Sequence, residues 1–132
     1  MNVEGMIKLP RKIVSSSGLA EEFKSVFNSD EAKLHKNIVY FFMTEKPIPR
    51  VKGESNILYI GKTKQSLRQR YLRYSNKLAS NRNGVFYKHI IDNFGAISIG
   101  YLITDNPKDL ESKFFKDYCD KFLEYPPKSK VG

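Results

Sequence analysis

The sequence predicts an α/β protein of α+β arrangement, in which a small, mainly antiparallel three-stranded sheet is flanked by helices. Three observations lead there. Three runs are β-branched, aromatic or strictly alternating; apolar residues elsewhere recur at helical spacing; and Gly, Pro, Asn and Ser punctuate the gaps. A chain of 132 residues fits one domain, and at 40% apolar and 13% aromatic content it needs no disulfide or metal staple to build a core. Residues 1–30 read as an N-terminal accessory extension and residues 31–132 as the main domain.

Residues 1–14 mix extended and basic character, and Pro10 argues against an early helix. Leu19, Phe23, Val26 and Phe27 fall at i, i+4, i+7 and i+8, which predicts a short amphipathic helix ended by Asn28, Ser29 and Asp30. Asn37 to Thr44 (NIVYFFMT) reads as a buried strand. A long loop with Pro47, Pro49 and Gly53 leads to a second strand, Asn56 to Gly61 (NILYIG), and the pair forms a hairpin. On that strand Tyr59 should share a face with Ile57 and Gly61. A helix starts near Gln65 with Leu67, Tyr71, Tyr74 and Leu78 inward, and Asn81, Asn83 and Gly84 stop it. A shorter helix spans Val85 to Asn93 and ends at Gly95. Ile97, Ile99, Tyr101 and Ile103 alternate as a third strand. Asp105, Asn106 and Pro107 open a last helix running to about Leu123, and Pro126-Pro127 begin a basic tail.

Composition excludes several classes of function. The longest apolar run, Ile38 to Met43, is far too short for a membrane span, which needs roughly 20 residues. No apolar signal region follows the N-terminus, so an intracellular protein, cytoplasmic or nucleoid-associated, is expected. One cysteine, Cys119, and two histidines, His35 and His89, cannot build a thiolate or imidazole metal cage. The net charge is +9, and its placement is informative. Ser55 to Ile91 holds no acidic residue, yet carries Lys62, Lys64, Arg68, Arg70, Arg73, Lys77, Arg82 and Lys88 among Tyr71, Tyr74, Phe86 and Tyr87. A merely solvated face mixes signs; a one-signed segment with aromatics meets a polyanion. Nucleic acid is the expected partner, RNA not being excluded by charge, and a membrane surface fits poorly for want of a broad apolar face.

The text from Tyr59 to Tyr74, YIGKTKQSLRQRYLRY, follows a strand bearing Ile38-Val39-Tyr40 and precedes a helix bearing Glu111. Together these resemble the GIY-YIG nuclease superfamily, over residues 37 to about 125, so that residues 31–132 would be the nuclease domain. Ile38 stands where the family usually has glycine, and the Tyr40-to-Tyr59 separation is longer than in compact members. No asparagine follows Asn106, although the family commonly supplies one beyond the glutamate helix; Ser129 lies in roughly that region.

The resemblance implies a divalent-metal-dependent DNA endonuclease. It offers Tyr40 or Tyr74, deprotonated, to activate water, Tyr59 to orient phosphate or water, and Arg70 to stabilise charge on the phosphoryl oxygens. Glu111 would hold Mg2+ or Mn2+. Lys62 would contact phosphate or lower a neighbouring phenol's pKa, and Lys64, Arg68, Arg73, Lys77, Arg82 and Lys88 would track the nucleic-acid backbone. Cutting both strands from one site would favour a homodimer or sequential nicking.

The residues themselves add to this. Arg70 and Tyr74, four apart, share a helix face. Glu111 falls within the apolar arc of Leu110, Phe114, Phe115, Tyr118 and Phe122, where a carboxylate needs a purpose, whereas Asp109 lies outside that arc and Asp117 at its margin. Gly61 would leave room for a phosphate backbone. A second expectation from another class is a catalytically weakened nucleic-acid-binding module of the same fold.

Overall fold

A computed structural model describes residues 3–78 and 82–129. Its elements are β1 (Ile7–Lys8), α1 (Leu19–Phe27), α2 (Asp30–Lys33), β2 (Ile38–Pro49), β3 (Glu54–Thr63), α3 (Leu67–Arg70), α4 (Tyr74–Leu78), α5 (Arg82–Phe94), β4 (Ile97–Ile103) and α6 (Pro107–Phe122). The sheet is antiparallel and has four strands in the order β1-β4-β2-β3, one more than the expected three. The extra strand comes from the N-terminal segment: Ile7 and Lys8 pair with Tyr101 and Gly100, and Ile13 bridges Ile97. A two-residue strand is too short to show a readable alternation, which is why periodicity missed it.

β2 is apolar on both faces because both are covered. Ile38, Tyr40 and Phe42 face a core built with α1, α3, α4 and α5, to which the N-terminal segment gives Leu9, Ile13, Phe23, Val26 and Phe27. Val39 and Phe41 face α6, joining Ile57, Ile60, Tyr118 and Phe122. Among the described residues no helix is long and apolar enough to cross a membrane.

Several expected boundaries move. β2 continues as strand through Pro49, so the anticipated long loop is a longer hairpin with register shifts after Phe42 and Met43. Pro47 and Pro49 are tolerated because the β2–β4 ladder stops at Thr44, and proline is confined to such one-sided positions. The register shift also corrects a facing. Tyr59 opposes Phe42, but Ile57 opposes Met43, so Ile57 packs toward α6 while Leu58 and Tyr59 both meet the other core. A bulge inserts one unpaired residue and so breaks the two-residue alternation.

The expected helix from Gln65 to Leu78 is two short ones, α3 and α4. Ser66 caps the first, its hydroxyl accepting from the Gln69 N–H at 3.3 Å. Arg70, Arg73 and Lys77 have no carboxylate among them, so no ion pair supports an unbroken exposed face. Asn83 and Gly84 do not stop a helix but lie in the first turn of α5. A Cβ on Gly84 would sit 2.5 Å from the Leu78 carbonyl oxygen, so glycine is there for close approach. Asn81, the other expected stop, lies outside the described residues, as does Lys130 of the basic tail.

α6 begins as expected. Asn106 caps it, accepting from the Asp109 N–H at 3.3 Å, and Pro107 occupies the first turn. Its far end is clasped to the hairpin: Arg50 reaches the Glu124 carboxylate at 2.6 Å, the Val51 N–H donates to the same group at 2.5 Å, and the Lys52 N–H donates to the Phe122 carbonyl at 3.2 Å.

Candidate active site

Tyr40 and Gly61 are directly opposed across β2 and β3, and the tyrosine ring lies over the glycine. A Cβ at position 61 would come within 2.4 Å of that ring. The space at Gly61 is therefore filled by Tyr40 and is not open to a phosphate backbone. The Tyr40 ring is 1% exposed, and its hydroxyl accepts from the Tyr71 hydroxyl at 2.9 Å. Burial, helped by the nearby Tyr59, holds the Tyr40 phenol well above its usual pKa despite Tyr71 and Arg70. Tyr71, buried against Tyr40, is pushed up in the same way.

In front of this pair is a cleft of about 460 Å³, lined by Tyr59, Arg70, Tyr74, Lys77, Glu111 and Ser129 among others. It straddles the edge strand β3. Tyr59, Arg70 and Tyr74 approach from the core shared with α3, α4 and α5, while Glu111 and Phe115 approach from α6. The C-terminal segment closes one side, where the Lys128 N–H donates to the Leu58 carbonyl at 3.0 Å. Tyr74 and Tyr87 share a hydroxyl–hydroxyl hydrogen bond of 3.0 Å. Burial raises the Tyr74 pKa, although the bond to Tyr87 and the charge of Arg70 both oppose the shift. The Arg70 guanidinium lies 5.0 Å from the Tyr71 ring centroid. Burial disfavours its charge, but the phenols of Tyr40, Tyr71, Tyr59 and Tyr74 outweigh that and raise its pKa.

Glu111 is on the inner side of α6 with its side chain 17% exposed, and it accepts from the Lys62 ammonium at 3.0 Å. Asp109 is exposed at the helix cap, and Asp117 is exposed beside Lys113. No cluster of three His, Cys, Asp or Glu side chains exists among the described residues. The donor set is thus one carboxylate in a polar cleft. That fits a hard cation such as Mg2+, which keeps several waters and needs only one or two carboxylates when phosphate supplies further oxygens. It does not fit a transition-metal cage.

Of the expected site residues, Tyr59, Arg70, Tyr74, Glu111 and Lys77 share the cleft, with Lys62 joined through Glu111. Tyr40 backs the cleft wall, its ring centroid 5.9 Å from that of Tyr59. Arg68 turns toward α1, lining a narrow groove with Phe23 and Phe27, and Lys88 lines a third groove with Ser16 and Val85. Lys64, Arg73 and Arg82 are exposed outside the cleft lining. Sequence reasoning did not place Asn83, Phe115, Tyr87 or Lys128 here. Ser129 had a signal, its place beyond the glutamate helix. Its hydroxyl is buried with no hydrogen-bond partner among the described residues. The chain matches no family model, no curated protein and no solved structure with which it was compared.

Proposed function

We propose that the protein is a metal-dependent endonuclease that hydrolyses phosphodiester bonds of DNA through a GIY-YIG-like site. The observation that carries this reading is the convergence of Tyr59, Arg70, Tyr74 and Glu111, from four separate elements, on one basic, aromatic cleft. Arg70 offers a planar fork to the non-bridging phosphate oxygens, where charge grows in the transition state. Of the two tyrosines considered as base, Tyr74 is the one whose ring lines the cleft, and the Tyr87 hydroxyl and Arg70 stabilise its phenolate. Tyr74, acting as the phenolate, then takes a proton from water as the water oxygen bonds to phosphorus and the P–O bond to the leaving group breaks, the negative charge departing on the leaving oxygen. Tyr59, at the cleft wall, orients phosphate or water by a hydrogen bond. Glu111 would hold the Mg2+ or Mn2+ ion, which when bound would supply Lewis acidity to the reaction. Tyr40 positions the wall through Tyr71. DNA as substrate implies an intracellular, nucleic-acid-associated location.

A second reading, a nucleic-acid-binding module without cleavage, is favoured by the Lys62 ammonium resting on the Glu111 carboxylate. Supercoiled plasmid incubated with the protein and magnesium, with and without EDTA, separates the two. EDTA-sensitive nicking that Glu111→Gln abolishes, with DNA retention intact, is the expected result. Retention without nicking by the unaltered protein favours the binder.

A further inference from the structure

We infer that Lys62 couples DNA binding to loading of the divalent cation, because its ammonium sits 3.0 Å from an oxygen of the carboxylate that would hold the cation. This rests on the proposed reading of Glu111 as the metal ligand. In the free protein a cation approaching Glu111 must displace a bound positive charge or accept its repulsion. The displacement is feasible. Lys62 projects from the edge strand β3 with its side chain 44% exposed, and a lysine stem is flexible enough to carry its head several ångströms. What it lacks in the free protein is a better anion.

A phosphodiester entering the cleft supplies that anion. Lys62 then moves from carboxylate to phosphate, leaving Glu111 charged, shielded by α6 and facing a second anion. Two anions without a cation between them repel, so the site draws in the divalent ion at that moment. Arg70 and Lys128 also line the cleft, but the Glu111 contact observed is to Lys62. Lys62 is accordingly a positioning residue that orders the two binding events, DNA first and metal second. By linkage the effect is reciprocal: bound metal strengthens DNA binding by the same factor.

The test measures Mn2+ binding to the full chain by calorimetry and by the paramagnetic resonance of free Mn2+. It is done without DNA and with a saturating phosphorothioate duplex that resists cleavage; the Glu111→Gln complex gives the background of ions held by DNA alone. The unaltered protein should bind Mn2+ about tenfold more tightly with the duplex, within the usual range of coupling between sites. Lys62→Met should bind Mn2+ about tenfold more tightly than the unaltered protein in the absence of DNA and gain little when the duplex is added. Lys62→Gln serves as the second variant, with circular dichroism checking both folds. If Glu111→Gln loses the Mn2+ site but both Lys62 variants bind like the unaltered protein, the coupling is overturned and the metal assignment stands. If Glu111→Gln binds Mn2+ as the unaltered protein does, the metal assignment fails and the coupling with it.

Discussion

Tyr40 and Gly61 make the smallest unit on which the cleft depends. Because the ring lies where a Cβ would be, Gly61→Ala overpacks the β2–β3 ladder and should cost about 1–3 kcal/mol of stability. Adding Tyr40→Leu removes the clashing ring, so the double variant should be more stable in urea than the sum of the single effects predicts. The phenols also give a pH dependence. Tyr40, Tyr71, Tyr74 and Tyr87 all have pKa values raised in the folded protein, chiefly by burial. The folded state then holds protons that the unfolded state releases. Their contribution to stability is full below the ordinary phenol value of 10.0 and is lost as pH rises above it. Phenolate absorbance near 295 nm should therefore rise for these rings together with loss of ellipticity, in one step. Ring ionisation well before unfolding would show the hydroxyl pairs to be open to solvent. Tyr71 and Tyr74 were legible on an inward helix face and Tyr40 on the strand face of Ile38 and Phe42, but Tyr87 was not. Nor was it legible which hydroxyl meets which, since Tyr40 and Tyr71 are neighbours only once the sheet and α3 have docked.

Elements with a strong period were readable and those with mixed signals were not. β4 and α6 lie where alternation and the Asn106-Pro107 start put them. The α3–α4 break and the start of α5 were hidden because tyrosines at helical spacing look alike in one helix or two, and because Gly84 reads as a stop when its use is contact with Leu78. Glu111 was singled out by the family resemblance and supported by its position in the apolar arc. The inter-element clasp had no such signal: Arg50 and Glu124 lie 74 residues apart, and only the long hairpin brings them together. Arg50 is 10% exposed in its side chain, so losing its partner leaves a guanidinium poorly satisfied. Glu124→Ala should cost about 2 kcal/mol, as for a lost hydrogen bond to a charged group, measured as a shift in denaturant midpoint. An unchanged midpoint would show the clasp to be ornamental to α6.

For the whole molecule the acid-free stretch from Ser55 to Ile91 was the most informative feature, yet the fold distributes its cations over more than one surface. Lys77 lines the cleft, whereas Arg68 is turned to α1. DNA retention should weaken steeply with salt, and Lys77→Ala should flatten that slope by about one unit or less, while Arg68→Ala leaves it unchanged. Equal effects would mean that the bound path runs over α3 as well as the cleft.

The ion pair between Lys62 and Glu111 spans 49 residues of sequence, and this has a bearing on heat. Arg70 and Lys77 of the cleft wall precede β4; the carboxylate arrives with the last helix, packed on the opposite side of the sheet, and Lys128 follows it. Warming that loosens α6 first would strip away the acidic partner while Arg70 and Lys77 stay on α3 and α4. On the proposed reading, a chain in that condition would keep cations for a polyanion but lack the group that makes the grip productive, so moderate thermal damage should give retention of DNA without nicking, which the plasmid assay on heat-treated protein checks.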